Sequence, residues 1–166
     1  EIYLAYQNYD HQFTMDYHRV QDGEQPPPHD AIPDPGASQF AACGADCLAQ
    51  VTITTPSSGT NELRFRYVDN VNFWKVVLNQ TGSTLDLTKQ IAGVDTVVGT
   101  TAVTWTSGEP VVLTAVCFGT RIRCFYGRLA GTATTDAQHQ AGTIIGVGSS
   151  GTYRDLLGYA AGTHRV

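Results

Sequence analysis

The chain has 166 residues, 42% of them hydrophobic and 15% charged, with ten Lys and Arg against fifteen Asp and Glu for a net charge of −5. A chain of this size is one ordinary domain that buries about two thirds of its unfolded surface without a covalent staple. The acidic balance, with no basic run beyond the alternation Arg121-Ile122-Arg123, excludes a nucleic-acid footprint, and no apolar run of about 18 residues is present to insert into a membrane as a helix.

Seventeen glycines, abundant Thr and Val and a single Met, with few Lys, Glu and Leu, suit a turn-rich β protein better than a helical one. The opening Glu1-Ile2-Tyr3-Leu4-Ala5-Tyr6 has neither the charged start nor the apolar centre of a signal peptide, and Ile2 to Tyr6 can form one strand. A start at Glu1 rather than Met leads us to expect a processed product or a piece of a longer polypeptide. Aromatic residues follow at Tyr9, Phe13 and Tyr17, and residues 21–36 then hold five of the seven prolines. Pro26-Pro27-Pro28 has fixed φ and no amide donors, so this stretch is expected to be a stiff surface loop and not a central strand. The expected organisation is a Tyr/Pro-rich N-terminal strand and extended arm over 1–45, followed by a sandwich over 46–166.

Cys43 and Cys47 bracket Gly44-Ala45-Asp46, close enough for a short-loop disulfide; two free thiols are the other reading. A metal site would need two further ligands at similar spacing, which the sequence does not supply. Strands are then predicted for Leu48 to Thr54, Glu62 to Tyr67, Phe73 to Asn79, Thr84 to Gln90, near Thr96 to Val98, Val111 to Phe118, Arg121 to Tyr126, Thr143 to Val147 and near Asp155 to Ala160. Nine strands without a helical pattern predict an all-β fold of two packed antiparallel sheets. Alternation places Leu63, Phe65 and Tyr67 on one face and Arg64 and Arg66 on the other; Trp74, Val76 and Leu78 oppose Phe73, Lys75 and Val77. If Gly119-Thr120 is a two-residue hairpin turn, Phe118 pairs with Arg121, and Leu113, Ala115, Cys117, Ile122, Cys124 and Tyr126 share an apolar core face. Cys117 and Cys124 are then diagonal neighbours and are read as buried free thiols.

The succession Leu-x-Phe-Arg-Tyr-x-Asp-x-x-Asn-Phe-Trp-Lys-Val-x-Leu, Leu-x-Leu-x-Lys, Gly-Thr-Arg-Ile-Arg-Cys-Phe-Tyr-Gly and Ala-Gly-Thr-Ile-Ile-Gly-Val-Gly-Ser-Ser-Gly-Thr-Tyr-Arg-Asp-Leu resembles the laminin-G-like, concanavalin A-like jelly-roll domains. The resemblance covers roughly residues 46–160. It implies a two-sheet antiparallel jelly-roll sandwich of the kind found in secreted carbohydrate-active proteins, cell-surface proteins and bacteriophage tail or fibre proteins. The Tyr-rich, Pro-rich N-terminus departs from that pattern.

Catalysis is not expected. The glutamates are Glu1, Glu24, Glu62 and Glu109, with no paired-carboxylate strand of glycosidase type. The five histidines show no zinc spacing, and Ser57-Ser58-Gly59 and Ser149-Ser150-Gly151 read as turns, not nucleophile elbows. Sugar sites combine aromatic faces with Asp, Asn and Arg, and Asp69, Asn70, Asn72 and Trp74 bring those types into one loop and strand start. Against that, Asn72 suits a turn, Trp74 has core parity, and Trp105 suits a buried anchor of its own turn. Calcium between Asp69 and Asp95 is allowed by the resemblance and not required by the spacing. The expected function is therefore non-catalytic recognition or adhesion at an extracellular or virion surface, with a glycan or cell-surface ligand. The alternative is a structural subunit of a virion, fibre or filament, assembling as a homo-oligomer through residues 1–36.

Overall fold

A computed structural model of the chain describes residues 40–148 and 151–160. The expected strand at Ile2 to Tyr6 and the 1–36 arm lie outside these residues. Among the described residues eleven strands are formed: β1 (Phe40–Ala42), β2 (Cys47–Thr54), β3 (Thr60–Asp69), β4 (Asn72–Asn79), β5 (Thr84–Ile91), β6 (Val94–Ala102), β7 (Pro110–Phe118), β8 (Arg121–Tyr126), β9 (Leu129–Thr135), β10 (Ile144–Val147) and β11 (Thr152–Ala160). They build two antiparallel sheets, six-stranded β1-β10-β3-β4-β5-β6 and five-stranded β11-β2-β7-β8-β9.

The core lies between the sheets. Leu63, Phe65, Trp74, Val76, Leu78, Leu85 and Leu87 of the first meet Ala49, Val51, Ile53, Leu113, Ala115 and Ile122 of the second. Period-2 alternation produces this arrangement, because every second side chain of each strand faces the other sheet. The β7–β8 hairpin has the predicted register, Phe118 opposite Arg121, Cys117 opposite Ile122 and Ala115 opposite Cys124. One side of the sandwich closes where β6 meets β9, so tightly that a Cβ on Gly99 would collide with the side chain of Thr132.

Two strands exceed the prediction. β1 pairs with β10 in only three positions, too short to leave a periodic signal. β9, Leu-Ala-Gly-Thr-Ala-Thr-Thr, has almost no large apolar side chain to alternate. The parity expected for β3 also fails after Phe65. The β3–β4 register shifts between Phe65 and Asp69, and Arg66 adopts φ 46°, so the extra residue of this bulge reverses the facing of the residues after it. Arg66, expected outside, is therefore 1% exposed inside the sandwich, while Tyr67 turns outward and stacks on Phe73 with ring centroids 5.4 Å apart.

Arg66 does not lie idle there. It donates to the Gly119 carbonyl in the β7–β8 turn and, at 3.5 Å, to the Asp136 carbonyl, while Asp46 Oδ1 accepts the Gly119 N–H at 2.7 Å. One buried guanidinium thus ties the six-stranded sheet to the turn of the five-stranded one.

Candidate ligand-binding face

Outward positions of the six-stranded sheet gather polar side chains that the core does not need. Backbone register places Arg64 opposite Lys75, Lys75 opposite Thr88 and Thr88 opposite Val97 in one row across β3 to β6. A flanking row runs from Glu62 through Val77 to Asp86 and Thr100; on the other side Phe73, Gln90 and Asp95 are in register.

The charged groups in these rows are linked to one another. Arg64 donates from Nε and Nη2 to Glu62 Oε2 at 3.2 and 3.0 Å, and Lys75 Nζ lies 3.5 Å from Glu62 Oε1. The same ammonium is 2.7 Å from Asp95 Oδ2, whose other oxygen accepts Gln90 Nε2–H at 2.9 Å. Lys75 is 8% exposed overall, so its charge is held mainly by these carboxylates and not by water. The Arg64 guanidinium lies 4.7 Å from the centroid of the buried Phe73 ring, which fixes its plane as well as its charge. Asp86 accepts the Thr84 hydroxyl on Oδ2 at 3.1 Å, while its Oδ1 is buried without a hydrogen-bond partner among the described residues.

The residues singled out from sequence fall elsewhere. Asp69, Asn70 and Asn72 stay together at the tip of the β3–β4 hairpin. Asp69 accepts the Val71 N–H at 2.9 Å and both its oxygens accept from Asn72 Nδ2, at 3.0 and 2.9 Å. Asn72 Oδ1 in turn accepts the Ala92 N–H at 3.0 Å from the neighbouring β5–β6 turn. These bonds from the Asn72 amide, and then from the Val71 N–H, hold the Asp69 carboxyl below its usual range. Trp74 is not with them. It is 0% exposed on the inner face, packs on Phe65 and donates its indole N–H to Gln138 O at 2.8 Å. Trp105 anchors its own loop by donating to Pro56 O at 3.2 Å.

The loop that receives the Trp74 indole closes one end of the sandwich. Asp136 binds Lys89 Nζ at 2.7 Å through Oδ2 and the Gln138 N–H at 2.8 Å through Oδ1, and His139 Nε2 sits 2.8 Å from Gln90 O. The Lys89 ammonium beside Asp136 holds that carboxyl below the usual range, against a smaller opposing effect of burial. Asp95 spends its carboxylate on Lys75 and Gln90 while Asp69 spends its own on Asn72, so the two carboxylates that the sequence allowed, but did not require, around a calcium ion are engaged separately. Among the described residues no group of three or more His, Cys, Asp or Glu side chains is placed to hold a metal. All four cysteines are free, buried thiols, so the short-loop bridge allowed between Cys43 and Cys47 is not formed here.

Sequence reasoning named Glu62 only among glutamates without a catalytic pairing and missed Arg64, Lys75, Asp86, Gln90 and Asp95 as a group. The available signal was Lys75 itself, a lysine inside Phe-Trp-Lys-Val-Val-Leu, where both faces of the strand are otherwise apolar.

The fold is a concanavalin A-like jelly-roll sandwich, and comparison with solved structures supports that assignment. The carbohydrate-binding module CBM66 from Bacillus subtilis superposes with a TM-score of 0.60 at 14% identity, covering 72% of this chain and 80% of that one. A doubly substituted human galectin-16 gives 0.57 at 9% identity, over 76% and 96% of the two chains. The galectin LEC-6 of Caenorhabditis elegans gives 0.54 at 11%, over 70% and 84%. No family model matches the sequence, and no curated protein matches it.

Proposed function

We propose that this chain is a non-catalytic glycan-binding module that holds its sugar on the outer face of the six-stranded sheet. The observation that carries the reading is the linked series Arg64, Glu62, Lys75, Asp95, Gln90, which runs across β3 to β6. A pyranose presents hydroxyls that both donate and accept, so it is matched by a surface on which charged donors and acceptors alternate. Hydrogen bonds to such charged groups are shorter and stronger than neutral ones. Because each side chain is already fixed by its neighbour, little conformational entropy remains to be lost on binding.

The fold is compatible with this use, being shared with structures described as a carbohydrate-binding module and as galectins. An extracellular or virion-surface setting belongs to the same reading, since that is where glycans are displayed.

A panel of immobilised glycans, probed with the chain and with Lys75→Met, tests the reading. A glycan bound by the first and lost with the second, at an unchanged melting midpoint, supports it. Equal binding by both moves the site off this face, and binding to no glycan removes the glycan function.

A further inference from the structure

Three of the four cysteines converge at one end of the core. Cys47 opens β2 directly opposite Cys117 of β7, and Cys43, two residues before Ala45, donates its thiol toward Leu48 O at 3.7 Å. All three are buried. The Arg66 guanidinium stands beside them, and its Nε is buried without a hydrogen-bond partner among the described residues. Its charge favours a thiolate on both Cys47 and Cys117. The contact with the Cys117 thiol is the main influence that pulls the Cys47 thiol down, and the same contact, together with burial, pushes the Cys117 thiol up.

We propose that Cys47 and Cys117 form a peroxide-sensitive site that oxidises to a disulfide between β2 and β7. Directly opposed residues of antiparallel strands have Cα atoms about 4.5–5.5 Å apart, inside the range of about 4.4–6.8 Å that disulfides span, so the bond forms without moving either strand. Cys124, in contrast, faces Ala115 and has no opposed thiol.

The chemistry takes a hydroperoxide as its oxidant. The Cys47 thiolate attacks one peroxide oxygen, the O–O bond breaks, and the departing oxygen leaves as water after taking a proton; sulfur is oxidised to the sulfenic acid and the peroxide is reduced. Cys117 sulfur then attacks Cys47 sulfur, forming the S–S bond and breaking the S–O bond, and a second water carries away the Cys117 proton. Two thiols and one hydrogen peroxide give one disulfide and two waters. Cys47 and Cys117 are 1% and 0% exposed, so hydrogen peroxide, a small oxidant, reaches them through local opening at this end of β2 and β7.

The test is brief exposure of the full chain to hydrogen peroxide, alkylation of the remaining thiols in denaturant, and non-reducing peptide mapping. The expected result is loss of two of the four thiols and one linked peptide pair carrying Cys47 and Cys117. In Cys117→Ser, dimedone is expected to trap a sulfenic acid on Cys47. A Cys43–Cys47 link, oxidation confined to Cys124, or alkylation of all four thiols overturns the proposal. The map of the unsubstituted chain decides the matter by itself if Cys117→Ser does not fold.

Discussion

Lys75 on β4 reaches past the whole of β5 to Asp95 on β6, bringing its ammonium to 2.7 Å from the carboxylate. Two strands that share no backbone hydrogen bond are thereby joined on the outer face, and in the proposed glycan site the pair is expected to act as one element. Lys75→Met is expected to weaken glycan binding by about 10- to 100-fold, the equivalent of one hydrogen bond to a charged group. Asp95→Asn is expected to lose less, and the double variant to bind no more weakly than Lys75→Met alone. Isothermal titration of the four proteins against a bound glycan measures the coupling; independent, additive losses would show that the two side chains act apart.

Asp69→Ala separates the sheet face from the hairpin tip. With the Asx-type turn gone, stability is expected to fall by about 1 kcal/mol, the worth of an ordinary hydrogen bond. Glycan affinity is expected to stay within about threefold, because a side-chain bond lost at the tip leaves Lys75 and its partners in place. A loss of affinity matching that of Lys75→Met would return the site to Asp69, Asn70 and Asn72.

Trp74 contributes to stability in two ways that substitution can tell apart. Trp74→Ala is expected to cost about 3–5 kcal/mol through lost packing and a cavity. Trp74→Phe keeps most of the contact with Phe65 but strips the Gln138 carbonyl of its donor, at about 1–3 kcal/mol. Urea midpoints of the two variants give the comparison, and a neutral Trp74→Ala would refute the inner-face assignment.

Asp136 gives the end loop an acid limit. Its carboxyl is held below the ordinary value by Lys89, so the stabilisation is fully present above the unfolded carboxylate value of about 3.9 and is lost as pH falls through the lower, folded one. Thermal midpoints between pH 2 and pH 6 are expected to fall more steeply below about pH 4 in the native chain than in Asp136→Asn. Parallel curves would mean that Lys89 and Asp136 do not stabilise the fold together.

Gly142 is packed against the backbone of Arg66 so closely that a Cβ there would collide with the Arg66 carbonyl group. Backbone gives way less readily than a side-chain tip, so Gly142→Ala is expected to destabilise by about 1–3 kcal/mol. Gly108→Ala meets no neighbouring atom but must hold φ 88°, a separate strain, and serves as the control for conformation without crowding. Chemical denaturation of both variants provides the readout.

Much of the sandwich could be read from alternation alone. Leu63, Trp74, Val76, Leu78, Leu85 and Leu87 face the core as their spacing required, because a strand has two faces and only one of them can hold an apolar row against the other sheet. Arg66 defeated the same rule. A bulge adds one residue without leaving a mark in the hydrophobic pattern, and nothing near Arg66 in the chain announces that its partner is the carbonyl of Gly119 on the opposite sheet. The polar face was illegible for a related reason. Glu62, Lys75 and Asp95 come from three strands, and only the sheet register makes neighbours of residues that local composition shows as unrelated charges.

The near-contact of Gly99 and Thr132 has a bearing on how such modules can live together. Sheets that end in an open strand are prone to recruit a strand from another molecule, and crowding on a surface makes that exchange more frequent. Here the flank of β6 is occupied by β9, with no space for a third strand to slip between them. Copies of this domain can therefore stand side by side at high density without zipping together along that flank.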